Sequence, residues 1–357
     1  MAATAFNDGR VNNLTLEKII PRVVDTVNRS NVVTMRVLTR PQAWNGRVVQ
    51  QPIFTDNSTL GQSFKSTETF STAVDMTTTN LSWYPTGFGQ PVNISTVEQA
   101  MNQTQAGVIS LYKTSFEYAQ NAMSNRLGTI FYGTAAGKDF DGLNGIVDDG
   151  TLTSNYGGLS RTTYANNINA DVTAAAGGAL DLDGLAASDD AATVSGLSSE
   201  TPNVYITTKT VWTLYESLLE PSKQAMYQTM GYAKITSDTA IGETSRESLR
   251  GRGGFDSLDF RGKPMVRDEK CPAGTIFLLN ETMMEFHSLS IPGLKSIATA
   301  NSVTEGVYDK VKPTAFQFRE TMKPVNQLAE VGIFVVYGNL IHRQPNRNAK
   351  ITGVTTV

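Results

Sequence analysis

Residues 95–131 read STVEQAMNQTQAGVISLYKTSFEYAQNAMSNRLGTIF, and the spacing of their apolar groups frames the rest of the chain. Val97, Met101, Val108, Tyr112, Phe116, Ala119, Met123, Leu127 and Ile130 recur at helical intervals. Ser95 and Glu98 form a capping-box pattern at the start, and Gly133 supplies a stop. The stripe predicts one helix over 96–131, a rod of roughly 50 Å at ~1.5 Å per residue. Gly107 and Gly128 each weaken it by about 1 kcal/mol relative to Ala, so packing has to hold it in place.

Before this helix lies its opposite. From Arg40 to Gln90 there is no helical period, and Thr, Ser, Asn and Gln dominate. Aromatic groups are spaced through the stretch at Trp44, Phe54, Phe64, Phe70, Trp83, Tyr84 and Phe88. Phe70, Thr72, Val74 and Met76 share a face at period two, as in a half-buried strand. The apolar groups are too sparse to bury one another, and so long an excursion inside a compact domain calls for a functional reason. Further upstream, Leu14–Val27 carries a helical stripe broken by Pro21. Val32–Leu38 is β-branched and predicts a strand.

Beyond the helix, residues 142–146 and 156–161 are turn-rich, and Asn169–Ser199 is dominated by Ala, Gly, Asp and Ser. That composition predicts a surface insertion or loop over 169–199. A second lobe starts with a short buried strand at Asn203–Thr207 and an amphipathic helix from Lys209 to about Leu219, stopped before Pro221. Ser257–Arg267 and Thr275–Leu279 read as strands joined by a turn at 271–274, and Val331–Tyr337 as the last strong strand.

With 357 residues, two or three lobes are expected. Hydrophobic content of 40% and charged content of 18% describe a folded protein, and a net charge of -3 argues against a dedicated nucleic-acid binder. The charge is uneven: the first fifty residues lean basic, whereas 139–200 is acidic with Arg161 its only base. Cys271 is the sole cysteine, which points to a reducing compartment without a disulfide framework. No apolar run reaches the ~20 residues of a membrane span, and no signal-peptide core is expected at the start.

The chemistry that an enzyme of this size would carry does not emerge. Gly133–Asp139 has one residue too few for a phosphate loop, puts Asp139 where Ser or Thr should bind magnesium, and follows a helix instead of a strand. His287 and His342 lack partners at metal-binding spacing. No Gly-x-Ser-x-Gly elbow exists. Asp139-Phe-Asp141 and Asp181-Leu-Asp183 are fragments of calcium loops without the closing Glu. Arg246, Arg250, Arg252, Arg261, Lys263, Arg267 and Lys270 are interleaved with acids, as in a salt-bridged interface or loop. The reading is of a protein with no catalytic residues, no cofactor and no metal site.

The order of parts carries more than any motif: an arm, a long two-stranded excursion, one very long helix, an α/β lobe, and a strand returning to the start. Local echoes are Trp83-Tyr84-Pro85 before the helix, Gly142-Leu143-Asn144-Gly145-Ile146 and Tyr156-Gly157-Gly158-Leu159-Ser160-Arg161 after it, and 344–350 behind the last strong strand. This arrangement resembles the major capsid proteins of tailed bacteriophages, the Hong Kong 97-like fold family, over nearly the whole chain. The resemblance implies an α+β fold with an N-terminal arm (1–39), an extension loop or β-hairpin (40–90), and a peripheral domain (91–202) holding the spine helix 96–131. It further implies an axial domain (203–305) and a return to the peripheral domain (306–357).

It implies a non-enzymatic shell protein of the virion, assembled in the host bacterial cytoplasm from hexamers and pentamers of itself around double-stranded DNA. A separate scaffolding protein, a portal and a cement protein are the other expected partners, with no membrane. An encapsulin-like compartment of the same fold is the alternative, followed by an enzyme or adhesin. On this reading Trp44, Phe54, Phe64 and Phe70 are assembly contacts left wet in an isolated subunit. Arg10, Lys18 and Arg22 form a basic arm toward the genome. Lys65 is the one lysine of the extension that could cross-link to a neighbour's asparagine.

Overall fold

A computed structural model describes residues 32–38, 41–56, 60–71, 76–102, 111–135, 137–193, 200–219, 257–292, 294–296, 315–325 and 327–356. The elements run as α1 (Val32–Leu38), β1 (Gln42–Ala43), β2 (Val49–Phe54), β3 (Thr78–Trp83), β4 (Thr86–Ser95), α2 (Thr96–Asn102) and α3 (Leu111–Phe131). The middle of the chain forms α4 (Leu143–Ile146), β5 (Asn155–Tyr156), β6 (Leu159–Ser160), α5 (Ala165–Ile168), β7 (Asp171–Ala174) and α6 (Leu182–Ala192). Then come β8 (Val204–Thr207), α7 (Lys209–Leu218), β9 (Ser257–Phe260), β10 (Lys263–Arg267), β11 (Ile276–Leu279) and β12 (Met284–Ser288). The last are β13 (Lys295–Ser296), β14 (Phe316–Met322), β15 (Ala329–His342) and β16 (Ala349–Thr352).

Two sheets organise these elements. The first is built on β15, which pairs with β4 over Ala329–Gly338, with β14 over Val331–Val336 and with β12 over Gly338–His342, all antiparallel. The face of α3 that carries Ala119, Met123, Leu127, Ile130 and Phe131 is buried, as its period requires. Phe116, Phe318 and Phe334 cluster beside it with ring centroids 4.8–5.8 Å apart. The second sheet has the order β7-β16-β11-β8-β10-β9. Its central strands are apolar on both faces. Ile276 and Leu278 look into one core with Tyr205, while Phe277 and Leu279 look into the other with Val204 and Ile206.

Several expectations are corrected. Val32–Leu38 is a helix and not a strand, because tertiary burial of Val32, Val33, Val37 and Leu38 outweighs β-propensity. Its N-terminus is closed from far along the chain, the Val33 amide donating to Asp268 Oδ2 at 3.3 Å. Burial pushes the Asp268 carboxyl above the ordinary range. The spine appears as α2 and α3, with residues 103–110 outside the described residues. Ser95 is the last residue of β4, and the Thr96 amide donates to Leu328 O at 3.0 Å.

The described part of the 169–199 segment, which runs to Thr193, is not a loop. β7 and α6 belong to the second lobe, where Leu185 and Ala192 are fully buried against it. Small residues let a helix approach a sheet closely, so an Ala/Asp/Gly composition does not exclude a core element. Strand pairing also ignores the segment boundaries read from the sequence. β12, inside 203–305, joins the first sheet, and β16, inside 306–357, joins the second.

The two crossings between sheets, β11 to β12 and β15 to β16, lie side by side around His342, which is fully buried. Its Nδ1 accepts from the Gln344 amide at 3.2 Å, and its Nε2 lies 3.1 Å from Asn280 O and 3.1 Å from Asn348 Nδ2. Tyr156 Oη donates to His342 O at 2.9 Å and accepts from His342 N at 3.0 Å. Burial drives the His342 pKa down to about 4. The folded state therefore binds fewer protons than the unfolded chain between about pH 4 and 6.5. This stabilisation is complete above pH 6.5 and is lost as pH falls toward 4, in all about 3 kcal/mol. Urea unfolding of the unassembled subunit across that range should show this loss, and His342→Gln should flatten the slope while lowering stability at neutral pH.

Candidate assembly surface

β2 and β3 pair antiparallel from Val49↔Trp83 to Phe54↔Thr78 and form a two-stranded ribbon separate from both sheets. Along β2 half-buried and exposed residues alternate, with Val49 and Ile53 packed on the main core. On β3, Leu81 and Trp83 are buried. The root of the ribbon thus belongs to the subunit, and the Trp83 ring meets Tyr156 edge-on at 6.1 Å. Asn339 holds the return into β4, its Nδ2 donating to Tyr84 O at 3.1 Å and to Asp141 Oδ2 at 2.8 Å. Burial raises the Asp141 pKa. The calcium-loop fragment read at Asp139–Asp141 therefore gives Asp141 to this hydrogen bond.

Outside the root the ribbon turns apolar and wet. Phe54, Phe64 and Phe70 are 70%, 62% and 55% exposed, and Met76 is 70% exposed. Phe64 and Phe70 touch edge to face with centroids 4.9 Å apart. Lys65 sits in an exposed turn closed by Glu68 N to Lys65 O at 3.0 Å and Lys65 N to Glu68 Oε2 at 3.2 Å. Of the proposed strand around Phe70–Met76, residues 72–75 lie outside the described residues.

Trp44 breaks from the other aromatics and is a correction. It is 4% exposed, its ring meets His287 edge-on at 6.3 Å, and its amide donates to Ser288 O at 2.8 Å. The reason is local: β1 pairs with β12 beside it, so this aromatic finds a home in its own subunit. Arg10, Lys18 and Arg22, with Arg246, Arg250 and Arg252, lie outside the described residues.

A second apolar region is one the sequence did not single out. Val97, Met101, Met322 and Leu328 are exposed, and Val325 is fully so. The Thr96–Leu328 hydrogen bond brings the start of α2 beside the β14–β15 connection. Val97 and Met101 were read as part of the buried stripe and instead face solvent. Val325 and Leu328 follow Pro324 in a polar connection, and nothing in their spacing marks them. Tyr118 on α3 is likewise exposed. Isolated apolar residues on a surface are ordinary, and these fall in two groups, one on the ribbon and one around the start of α2.

Several charged groups are paired. Lys263 Nζ and Arg261 Nη1 meet Asp189 at 2.5 and 3.5 Å, and Arg261 Nη1 meets Asp190 at 2.5 Å. Arg261 and Lys263 thus clamp α6 to the β9–β10 hairpin, whereas Arg267 lies over the Trp212 ring of α7 at 5.2 Å. Among the described residues no three His, Cys, Asp or Glu side chains are grouped to hold a metal, and no helix is long and apolar enough to cross a membrane.

No family model and no curated protein matches the chain. Solved structures do. The capsid asymmetric unit of cyanophage A-1(L) is similar with a TM-score of 0.69 at 14% identity, over 98% of this chain and 100% of that one. The SrpI encapsulin complex of Synechococcus elongatus follows at TM-score 0.56 and 11% identity, over 98% and 96%. The capsid of Myoviridae phage XM1 has TM-score 0.53 and 11% identity, over 96% and 97%. The chain has the Hong Kong 97-like capsid fold, mixed α and β, over nearly its full length.

Burial separates two kinds of aromatic in the extension. Trp44→Ala should cost about 3–5 kcal/mol of subunit stability. Phe64→Ala should stay within about 0.5 kcal/mol of the parent. Chemical denaturation of both variants as unassembled subunits checks the contrast.

Proposed function

We propose that the protein is the major capsid protein of a tailed phage, forming a closed shell of its own copies around double-stranded DNA. The observation that carries this reading is the ribbon tip, where Phe54, Phe64, Phe70 and Met76 remain exposed beyond a root that is packed on the core. Burying the exposed part of each aromatic on a second copy would gain on the order of 1–2 kcal/mol. The tip and the region around Val97, Val325 and Leu328 are different surfaces. A contact between unlike surfaces of identical subunits is heterologous and closes into a ring when the rotation between successive copies closes. Tyr118 and the α2–α3 face are the natural receiving ground for the tip.

The fold shared with the A-1(L) and XM1 capsids supports the phage reading. Similarity to the SrpI encapsulin supports a second, a cellular compartment without a genome. Packaged double-stranded DNA in native particles separates the two. For the phage reading the basic residues Arg10, Lys18 and Arg22 suit a position facing phosphate, and Lys65 at the exposed tip stays the candidate for a covalent tie between copies.

The ribbon can be shortened without touching the core. Thr55 N donates to Thr77 O at 3.2 Å, so replacing residues 56–76 by Asn-Gly closes β2 onto β3 with a two-residue hairpin turn. The product should keep the circular dichroism and unfolding midpoint of the parent and sediment as unassembled subunits or small oligomers. Closed shells from this variant would remove the proposal.

A further inference from the structure

A two-stranded ribbon is marginal in water and twists strongly, so its direction of exit has to be fixed from outside. Residues 145–169 do this from within the subunit. Their centre is Arg161, 1% exposed, which acts through backbone carbonyls. Nη1 donates to Asp148 O at 2.5 Å and Ile168 O at 2.7 Å, and Nη2 to Gly145 O at 2.6 Å and Ile146 O at 3.1 Å. One guanidinium thereby ties both ends of the segment together, and α5 is pinned at the fully buried Ile168. Asn346 Nδ2 adds a second anchor to Asn166 O at 3.2 Å.

This braced segment reaches the ribbon twice. Near the root, Ser82 N donates to Gly157 O at 2.8 Å, and Gly157 has φ +54. A Cβ there would lie 2.7 Å from Leu81 Cδ2, so only glycine lets the ribbon sit this close. Further out, Asn167 Nδ2 donates to Phe54 O at 3.2 Å, at the last residue of β2. The two points are four strand positions apart in register, about 13 Å.

We infer that residues 145–169, braced by Arg161, form a bracket that aims the extension, with Gly157 as seat and Asn167 as stay. The bracket determines which point on a second copy the apolar tip reaches. These are positioning residues, and the inference rests on the assembly reading above.

The test uses the full chain with spin labels at Ser66→Cys and Thr129→Cys, both exposed, the native Cys271 being buried. Asn167→Asp keeps the shape and removes the donor, while Asn167→Gln keeps a donor. In the unassembled subunit, the label-to-label distance distribution should become roughly twice as wide with Asn167→Asp, as expected for a ribbon freed at its outer end. It should stay close to the parent's with Asn167→Gln, and the unfolding midpoint should not move in either. Electron micrographs of Asn167→Asp assembly products should show incomplete or mixed-size particles. An unchanged distance distribution, or a broadened one with particles of parental size and yield, overturns the inference. Closed shells from the shortened ribbon would instead overturn the assembly reading, whatever Asn167→Asp does in the isolated subunit.

Discussion

Two chain crossings lie side by side between the sheets, and the buried hydrogen bonds that lock them hold the rest of the molecule in place. Asn280 stands where the chain leaves the second sheet for the first, and Gln344–Asn348 where it returns. The Asn280 amide donates to Asn348 Oδ1 at 2.9 Å, and Asn348 Nδ2 donates to Pro345 O at 2.9 Å. His342 fills the space between them as a neutral ring. Each of these bonds matters at this depth, because leaving a buried polar group unmatched costs about 1–3 kcal/mol. One joint therefore sets the relation of β15, which carries the first sheet, to β11 and β16, which carry the second.

The same joint reaches the extension. Tyr156 holds both backbone groups of His342 and presents its ring to Trp83, at the root of the ribbon. Tyr156 is followed by Gly157, the seat of Leu81. Interior and projecting parts are thus one continuous packed path: joint, Tyr156, Gly157, ribbon. A change at the joint would therefore reach the root of the ribbon as well as the sheets.

Where local pattern and burial agree, the sequence is readable. The Ala119–Phe131 stripe is helical in spacing and buried on that same face, and Val204–Thr207 is a short apolar run bounded by turns and buried on both sides. Reading fails where distant residues decide. Val32–Leu38 has strand composition, but the helix is closed by an acid 235 positions away. β15 extends past the readable Val331–Tyr337 into Asn339 and His342, polar residues buried because of the joint. On the surface, Phe54, Phe64 and Phe70 were legible through the lack of any partner pattern around them. Trp44 had the same local signature and is buried because β12 lies beside it. Val325 and Leu328 carry no signature, since exposure in a connection follows from the sheet around it and not from spacing.

Magnitudes then say what kind of assembly such a surface could drive. Burying what is still exposed of Phe54, Phe64 and Phe70 would bring about 3–6 kcal/mol. Bringing two free subunits together costs an estimated 4–15 kcal/mol in lost motion. One tip contact barely offsets that cost, so a pair of subunits would form and part readily. A ring differs, because the last subunit to enter makes two tip contacts, one given and one received, while losing its freedom only once. Closed arrangements are then favoured over open ones by about the value of one contact, and misplaced subunits can still leave. On the assembly proposed, tip contacts of this strength would close a ring without trapping an error, provided that the direction of the tip is fixed before contact is made.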